Sequence, residues 1–394
     1  MRRNRLFPAL AAALLLAACN NDTVIVDGGG RRPDAPTDLT AQARWVLEGF
    51  TNAGQPSGYA AVDLAWNPPA SWTDEVFRVY GRRTGDSGFF LIATVTSCTS
   101  TGCVYRDRNV AAGTTYEYYV ATTNESADLE TPTAFRETVS VPASGTPAAP
   151  LADSAVALDN AALLRWRDGG VGNALWKYAV YLTRIDNTSY LYGTGETDGQ
   201  GFVDTRAVNG HVYGYRVVAI DTMEHVSALS AEMRVVPRPD ASAELIYSFQ
   251  SNAAQSGFRF QTSESTDPLL SGSSASAQWR LEQDASGWHI VPLNGTGVVE
   301  YPGGRTTALV CGAGSDASCR AATRAPAAGY QTTPIAINPE YSYVFRVTGN
   351  DGQTHYGVIR VTLLGSDGSG HQLMIFDWAY QLIAGDVRLN RLPR

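Results

Sequence analysis

Lysine is almost absent from this chain: Lys177 stands alone among 30 basic residues. Charge is sparse at 17% of residues, acids outnumber bases 38 to 30, and no basic cluster occurs. Nucleic-acid binding depends on neutralising phosphates, so this balance argues against it. It argues equally against electrostatic attachment to anionic lipid. The five histidines, His211, His225, His289, His355 and His371, form no H-E-x-x-H pair, which leaves zinc-protease chemistry without support. The chain has no G-x-S-x-G elbow, no P-loop and no dinucleotide fingerprint after a strand. Glu196-Thr-Asp-Gly-Gln-Gly201 lacks the alternating acids and closing glutamate of a calcium loop and reads as a hydrophilic turn. No helical period of three turns appears after residue 19. These absences favour a binding protein over an enzyme.

What is present begins at residue 2. Arg2, Arg3 and Arg5 precede an apolar run from Leu6 to Leu16, and Leu16-Ala-Ala leads into Cys19. The run falls short of the roughly 20 apolar residues a membrane-spanning helix needs, and its order is that of a secretory signal peptide. The ending resembles the bacterial lipobox, which implies cleavage after residue 18 and a lipidated Cys19. By the same resemblance, Asn20 implies sorting to the outer membrane or cell surface. Removing residues 1–18 takes away three arginines and no acid, so the formal charge of −8 becomes −11. Attachment then rests on the lipid alone, and a multiply acylated cysteine is enough for that. Residues 19–36, with Gly28-Gly-Gly30 and little to bury, form a flexible tether.

The other four cysteines lie in two close pairs, Cys98/Cys103 and Cys311/Cys319. In an exported chain such pairs read as local disulfides. Neither pair has the C-x₂-C spacing of a zinc site.

From residue 34 onward, short alternating apolar and β-branched segments are punctuated by Gly, Pro, Asn and Asp, the pattern of an all-β chain. An internal repeat organises residues 34–238. Trp66 and Trp166 each close an alternating strand, and Asp107, Gly113, Tyr116 and Tyr118 recur at the same offsets as Asp204, Gly210, Tyr213 and Tyr215. The repeat resembles the fibronectin type III family of β-sandwiches. That implies core tryptophans at Trp66 and Trp166 and tyrosine corners at Tyr116 and Tyr213. The two modules span residues 34–144 and 147–238, with prolines at the joints, Pro237-Arg-Pro239 among them. Trp72, Trp176, Tyr190 and Tyr192 lie in less patterned stretches and are candidates for a surface that meets a protein or glycan partner.

Residues 241–394 make a separate antiparallel β-domain that ends in a meander: Tyr341 to Val347, Tyr356 to Leu364 and Gln372 to Tyr380, joined at Asn350-Asp-Gly352 and Ser366-Asp-Gly368. The segments Tyr343-Val-Phe-Arg346, His355-Tyr-Gly-Val-Ile-Arg-Val361 and Ile375-Phe-Asp-Trp-Ala-Tyr-Gln381 resemble the C-terminal part of HmuY-type haem-binding lipoproteins. Haem would then be the cofactor, with His355, His371 and Met374 as ligand candidates converging from two neighbouring strands. The chain thus reads as a lipid-anchored binding protein in which fibronectin-like modules present the last domain. A structural or adhesion lipoprotein is the alternative, and an accessory protein of polysaccharide breakdown a second one. A deep apolar pocket in residues 241–394 would favour ligand binding, and a filled sandwich would favour a structural or adhesion role.

Overall fold

The computed structural model describes residues 32–73, 75–143, 145–311 and 316–389. The signal peptide and Cys19 lie outside the described residues. The chain is all-β, with two 3₁₀ turns, Gly172–Ala174 and Ala253–Gln255, as its helical elements among the described residues. Among the same residues no helix is long and apolar enough to cross a membrane.

The first sandwich contains β1 (Thr37–Phe50), β2 (Pro56–Asn67), β3 (Val76–Arg83), β4 (Phe90–Val95), β5 (Cys103–Asp107), β6 (Thr115–Asn124), β7 (Leu129–Pro132) and β8 (Glu137–Ser140). The second contains β9 (Leu151–Leu158), β10 (Ala161–Arg167), β11 (Leu175–Ile185), β12 (Thr188–Thr197), β13 (Gly201–Asp204), β14 (Tyr213–Asp221) and β15 (Met233–Val235). In each, a three-stranded sheet (β1-β2-β5, then β9-β10-β13) is completed by a larger one (β4-β3-β6-β7, then β12-β11-β14-β15), and β8 also pairs with β6. This order is that of a fibronectin type III-like sandwich. Alternation sets the faces. On β3, Phe77 and Val79 are buried while Arg78 and Tyr80 are less so, and on β6 Tyr116, Tyr118 and Val120 point inward. Trp66 and Trp166 are buried, packed edge-on against Phe77 and Tyr178.

Contacts divide the chain into two compact units. One holds Val62–Asp107 and Thr114–Ser140 with the segment before Ala43. The other holds Ala43–Ala61, Arg108–Gly113 and everything from Val141. Within this second unit, the tip of the β1–β2 hairpin lies on the second sandwich. There Phe50 meets Tyr181 edge-on at 5.4 Å, Trp45 packs beside His225, and the Leu229 amide donates to the Gly54 carbonyl at 2.9 Å.

The last domain, also in the second unit, contains β16 (Asp240–Tyr247), β17 (Gly257–Phe258), β18 (Leu269–Leu270), β19 (Trp279–Asp284), β20 (Gly287–Pro292), β21 (Gly297–Glu300), β22 (Ile335–Ala336), β23 (Ser342–Thr348), β24 (Thr354–Ser366) and β25 (Gln372–Gln381). They form two five-stranded sheets, β16-β25-β24-β23-β21 and β18-β17-β19-β20-β22. Aromatic rings fill the interior: Phe258, Phe260, Trp279, Phe345, Phe376 and Trp378 are all buried in one cluster. On the other face of the first of these sheets, Val344, Val358 and Ala379 are covered by Leu309, Ala322 and Ala325 of the strandless stretch between β21 and β22. Backbone bonds to neighbouring segments hold it, among them the Thr306 amide to the Glu340 carbonyl and the Ala325 amide to the Val387 carbonyl, both at 2.7 Å. The Cys311–Cys319 disulfide closes a loop within it, and Cys98–Cys103 closes the turn before β5. Prolines and a buried arginine fix the segment between second sandwich and last domain. The Arg238 amide donates to the Leu158 carbonyl at 3.1 Å, and its guanidinium donates to the Leu389 carbonyl.

Candidate functional site

Of the three ligand candidates, His355 and Met374 lie in strands whose register is fixed, and His371 directly precedes β25. Tyr356 pairs with Gln381 at one end of the β24–β25 hairpin and Ser366 with Gln372 at the other. His355 therefore sits at one end, while Met374, opposite Leu364, and His371 sit at the other. At about 3.3 Å per residue the separation is roughly 30 Å or more. Convergence of His355 with His371 and Met374 is corrected on this point: hairpin length keeps them apart. Each is also engaged otherwise. Met374 is wholly buried in the aromatic core. His371 is half exposed beside Tyr247 and 3.1 Å from Asp367. His355 is buried, with Nδ1 3.1 Å from the Gln381 carbonyl and Nε2 3.0 Å from an Asp351 carboxylate oxygen, so acceptors occupy both ring positions. These residues do not fit a haem. Among the described residues no group of three or more His, Cys, Asp or Glu is placed to hold a metal.

The histidines serve the turns instead. At Asp221/His225, Asp351/His355 and Asp367/His371, an aspartate opens a hairpin turn and the histidine four residues on closes it. One carboxylate oxygen of Asp367 accepts the Ser369 and His371 amides at 2.8 and 2.9 Å, and the other faces the His371 ring. Asp221 does the same with Met223 and His225. The i, i+4 spacing is visible in the sequence, but its pairing role was not inferred there.

These bonds have a pH consequence. The Gln353 amide and the His355 ring hold Asp351 below its ordinary value of 3.8. For Asp367 the His371 amide does so against the opposing effect of desolvation. The His211 ring lowers Asp186, and Arg388 lowers Asp386 despite that residue's burial. The folded state therefore binds fewer protons than the unfolded chain below pH 3.8. The stabilisation is complete above that value and lost as pH falls through the depressed folded values. Glu244, pushed up mainly by burial, acts in the opposite sense as a single group. Melting temperature should be level from pH 7 to about 5 and drop below about 4, with part of the drop removed in Asp367→Asn. A midpoint unchanged down to pH 3 would contradict this.

His355 also lines an opening in the second unit. A cleft of about 530 Å³ lies where residues 208–211 of the second sandwich face residues 259–263, 348–351 and 380–382 of the last domain. Its walls are fixed from behind. Phe260 stacks on Tyr380 at 5.4 Å, and a Cβ on Gly357 would come within 2.3 Å of the Phe260 ring, so only glycine leaves room for it. Gly349 is similarly needed beside His355. Asn209 donates through Nδ2 to Asp159 at 2.5 Å and to the Thr262 carbonyl at 2.9 Å, and the Arg259 guanidinium donates to the Asn350 side-chain oxygen. The Tyr380 ring is buried, yet its hydroxyl has no hydrogen-bond partner among the described residues. Burial and the nearby Asp351 carboxylate push that hydroxyl up to about 12, so at neutral pH it is a donor.

Trp66, Tyr116, Trp166 and Tyr213 are all buried in their sandwiches. Tyr213 is buried and its hydroxyl accepts the Val208 amide at 2.9 Å, and Tyr116 is buried against Tyr118. Two features went unseen in the sequence. Tyr118 and Tyr215 donate to Asp107 and Asp204 at 2.9 and 2.8 Å inside their sandwiches. Tyr343 accepts the Asn338 amide at 3.0 Å across five residues in the last domain, the arrangement Tyr213 makes with Val208. The surface aromatics divide. Trp176, Tyr190 and Tyr192 are exposed, whereas Trp72 is half-buried against Phe77 and donates its indole N–H to the Glu75 carbonyl. On the first sandwich, Tyr80 stacks on Tyr119 at 4.7 Å, and Phe89 has Arg82 and Arg136 over its ring.

Strand order and pairing thus define an all-β chain that begins with two fibronectin type III-like sandwiches. No protein-family model matches the chain, and no curated protein does. Among solved structures it is similar to the fibronectin domains FN1–FN3 of chicken CNTN1, at 12% identity and a TM-score of 0.37, over 52% of this chain and 68% of that one.

Proposed function

We propose that this chain is an extracytoplasmic recognition lipoprotein, lipidated at Cys19, that takes its ligand in the cleft beside His355 and Tyr380. The carrying observation is the contrast between the last domain's two spaces. Its interior is filled by stacked rings and leaves no room for a stored ligand, whereas the cleft is open and its polar walls are held in place. A mostly preformed concave site with a few fixed polar groups is the usual form of a ligand site. The signal-peptide pattern and the two disulfides support an oxidising, exported location.

Adhesion without a small ligand is the second reading. It draws on the exposed Phe90 and Leu91 of β4 and Tyr190, Leu191 and Tyr192 of β12, the same edge strand in both sandwiches. The test is double. Labelled palmitate should enter the wild-type chain and fail to enter Cys19→Ser. In residues 20–394 carrying ¹³C-labelled tyrosine, a disaccharide, a dipeptide and inorganic phosphate are each titrated. At least one should move the Tyr380 signal while leaving the core Tyr178 and Tyr215 signals in place. If none of the three moves Tyr380, the cleft reading falls and adhesion by the exposed edges takes its place.

A further inference from the structure

The lining of this cleft is unusual in kind. Five of its residues are carboxamides: Asn160, Asn209, Asn350, Gln261 and Gln278. A carboxamide offers both a donor and an acceptor without charge. Its lining holds one arginine, Arg259, and one aspartate, Asp351. An anion would meet the Asp351 carboxylate and a cation the Arg259 guanidinium, and an apolar ligand would desolvate the side-chain amino groups of Asn350 and Gln278, whose oxygens alone are engaged among the described residues. A peptide recognised as an added strand needs an open sheet edge, but the strand residues in these walls, Thr348, His355 and Tyr380, belong to β23, β24 and β25, each of which has a neighbour on both sides. What remains is a neutral ligand with many hydroxyl groups, each able to donate and accept.

Resting on the cleft reading above, we infer that the ligand is a neutral saccharide, one or two sugar rings of a longer glycan, hydrogen-bonded by the carboxamides and by the Tyr380 hydroxyl. Two observations beyond composition support it. The cleft's volume of about 530 Å³ is in the range of small-molecule sites and takes a disaccharide without enclosing it. And Tyr380, a residue 95% buried, lines the cleft with a hydroxyl that is not among the buried unpartnered atoms, so a sugar hydroxyl would take the place of water on it. The amides that would share the work are already tethered: Asn350 to Arg259, Asn209 to Asp159, and Gln278, whose side-chain oxygen accepts the Phe260 amide at 2.8 Å. Tethering lowers the ordering cost of binding, the main obstacle for so hydrated a ligand.

The test uses residues 20–394 with cellobiose, maltose and N,N′-diacetylchitobiose as neutral probes, and diglycine and inorganic phosphate as rivals. At least one disaccharide should shift Tyr380 with a Kd of about 1 mM or tighter. Tyr380→Phe keeps the ring stacked on Phe260 and should weaken that binding about fivefold with an unchanged melting point. Tyr215→Phe, remote from the cleft, should lower the melting point and leave affinity unchanged. If diglycine or phosphate shifts Tyr380 and no disaccharide does, the saccharide inference is overturned and the cleft reading stands. Silence from every probe removes both. Disaccharide binding that Tyr380→Phe does not weaken places the sugar elsewhere and overturns the inference.

Discussion

Trp279→Ala should destabilise the last domain by about 3–5 kcal/mol, the range for truncating a fully buried large aromatic. Trp279 lies between the sheets, stacked on Phe258 at 5.0 Å and on Phe345 at 5.6 Å, with Phe376 edge-on at 5.6 Å. Its neighbours come from β17, β23 and β25, so one side chain joins both five-stranded sheets. Collapse into the space is limited because those neighbours are themselves rings held on other sides: Phe258 also meets Phe260 and Trp378. The indole N–H is buried without a hydrogen-bond partner among the described residues, so no polar bond is lost and the cost is packing alone. Trp279→Phe should accordingly cost far less, about 1–2 kcal/mol, since most of the stacked area remains. Guanidinium unfolding followed by near-UV circular dichroism reads both. The first sandwich, whose core contains none of these rings, should keep its own transition. A loss under about 1 kcal/mol for Trp279→Ala would mean that the two sheets are not held together by this cluster.

The sandwiches were legible because their signals are local. A tryptophan ending an alternating strand, and an aspartate, glycine and two tyrosines at fixed offsets, specify strands and a corner within a few residues of each other. The meander was legible for the same reason, since Asn350-Asp-Gly352 and Ser366-Asp-Gly368 mark turns between long strands. The second sheet of the last domain was not. Its strands β17, β18 and β22 are two residues long, too short to show any periodicity. The cleft was illegible because its walls come from the second sandwich at residue 208 and from last-domain segments about 50, 140 and 170 residues further on. The ligand expectation at His355, His371 and Met374 failed on arithmetic that the sequence did contain: a hairpin whose turn lies at 367–371 puts residue 355 at its far end.

A buried tyrosine–aspartate bond should have the same cost in both sandwiches. Tyr215 is wholly buried and donates to Asp204, and Tyr118 donates to Asp107 across the same eleven-residue span, at 2.8 and 2.9 Å. Burial raises both hydroxyls well above the ordinary tyrosine value, with the carboxylate adding to the effect, so each stays a donor at every working pH. Asp204 also accepts the Arg206 amide at 2.9 Å, which fixes the chain leaving β13. Tyr215→Phe leaves a buried carboxylate short of one donor, and Asp204→Ala leaves a buried hydroxyl and an amide without an acceptor. Hydrogen bonds to charged groups contribute about 1.5–3 kcal/mol, and an unsatisfied buried partner carries its full desolvation penalty. Each single change should therefore cost about 2–3 kcal/mol. The double variant should cost less than the two singles added, by about 1–2 kcal/mol of coupling, because the second change no longer strands a partner. Tyr118→Phe should match Tyr215→Phe to within about 0.5 kcal/mol, although the two sandwiches share few other side chains. Additive singles in the second sandwich would show that the hydroxyl and carboxylate do not depend on each other, and the repeat would then reflect only core shape.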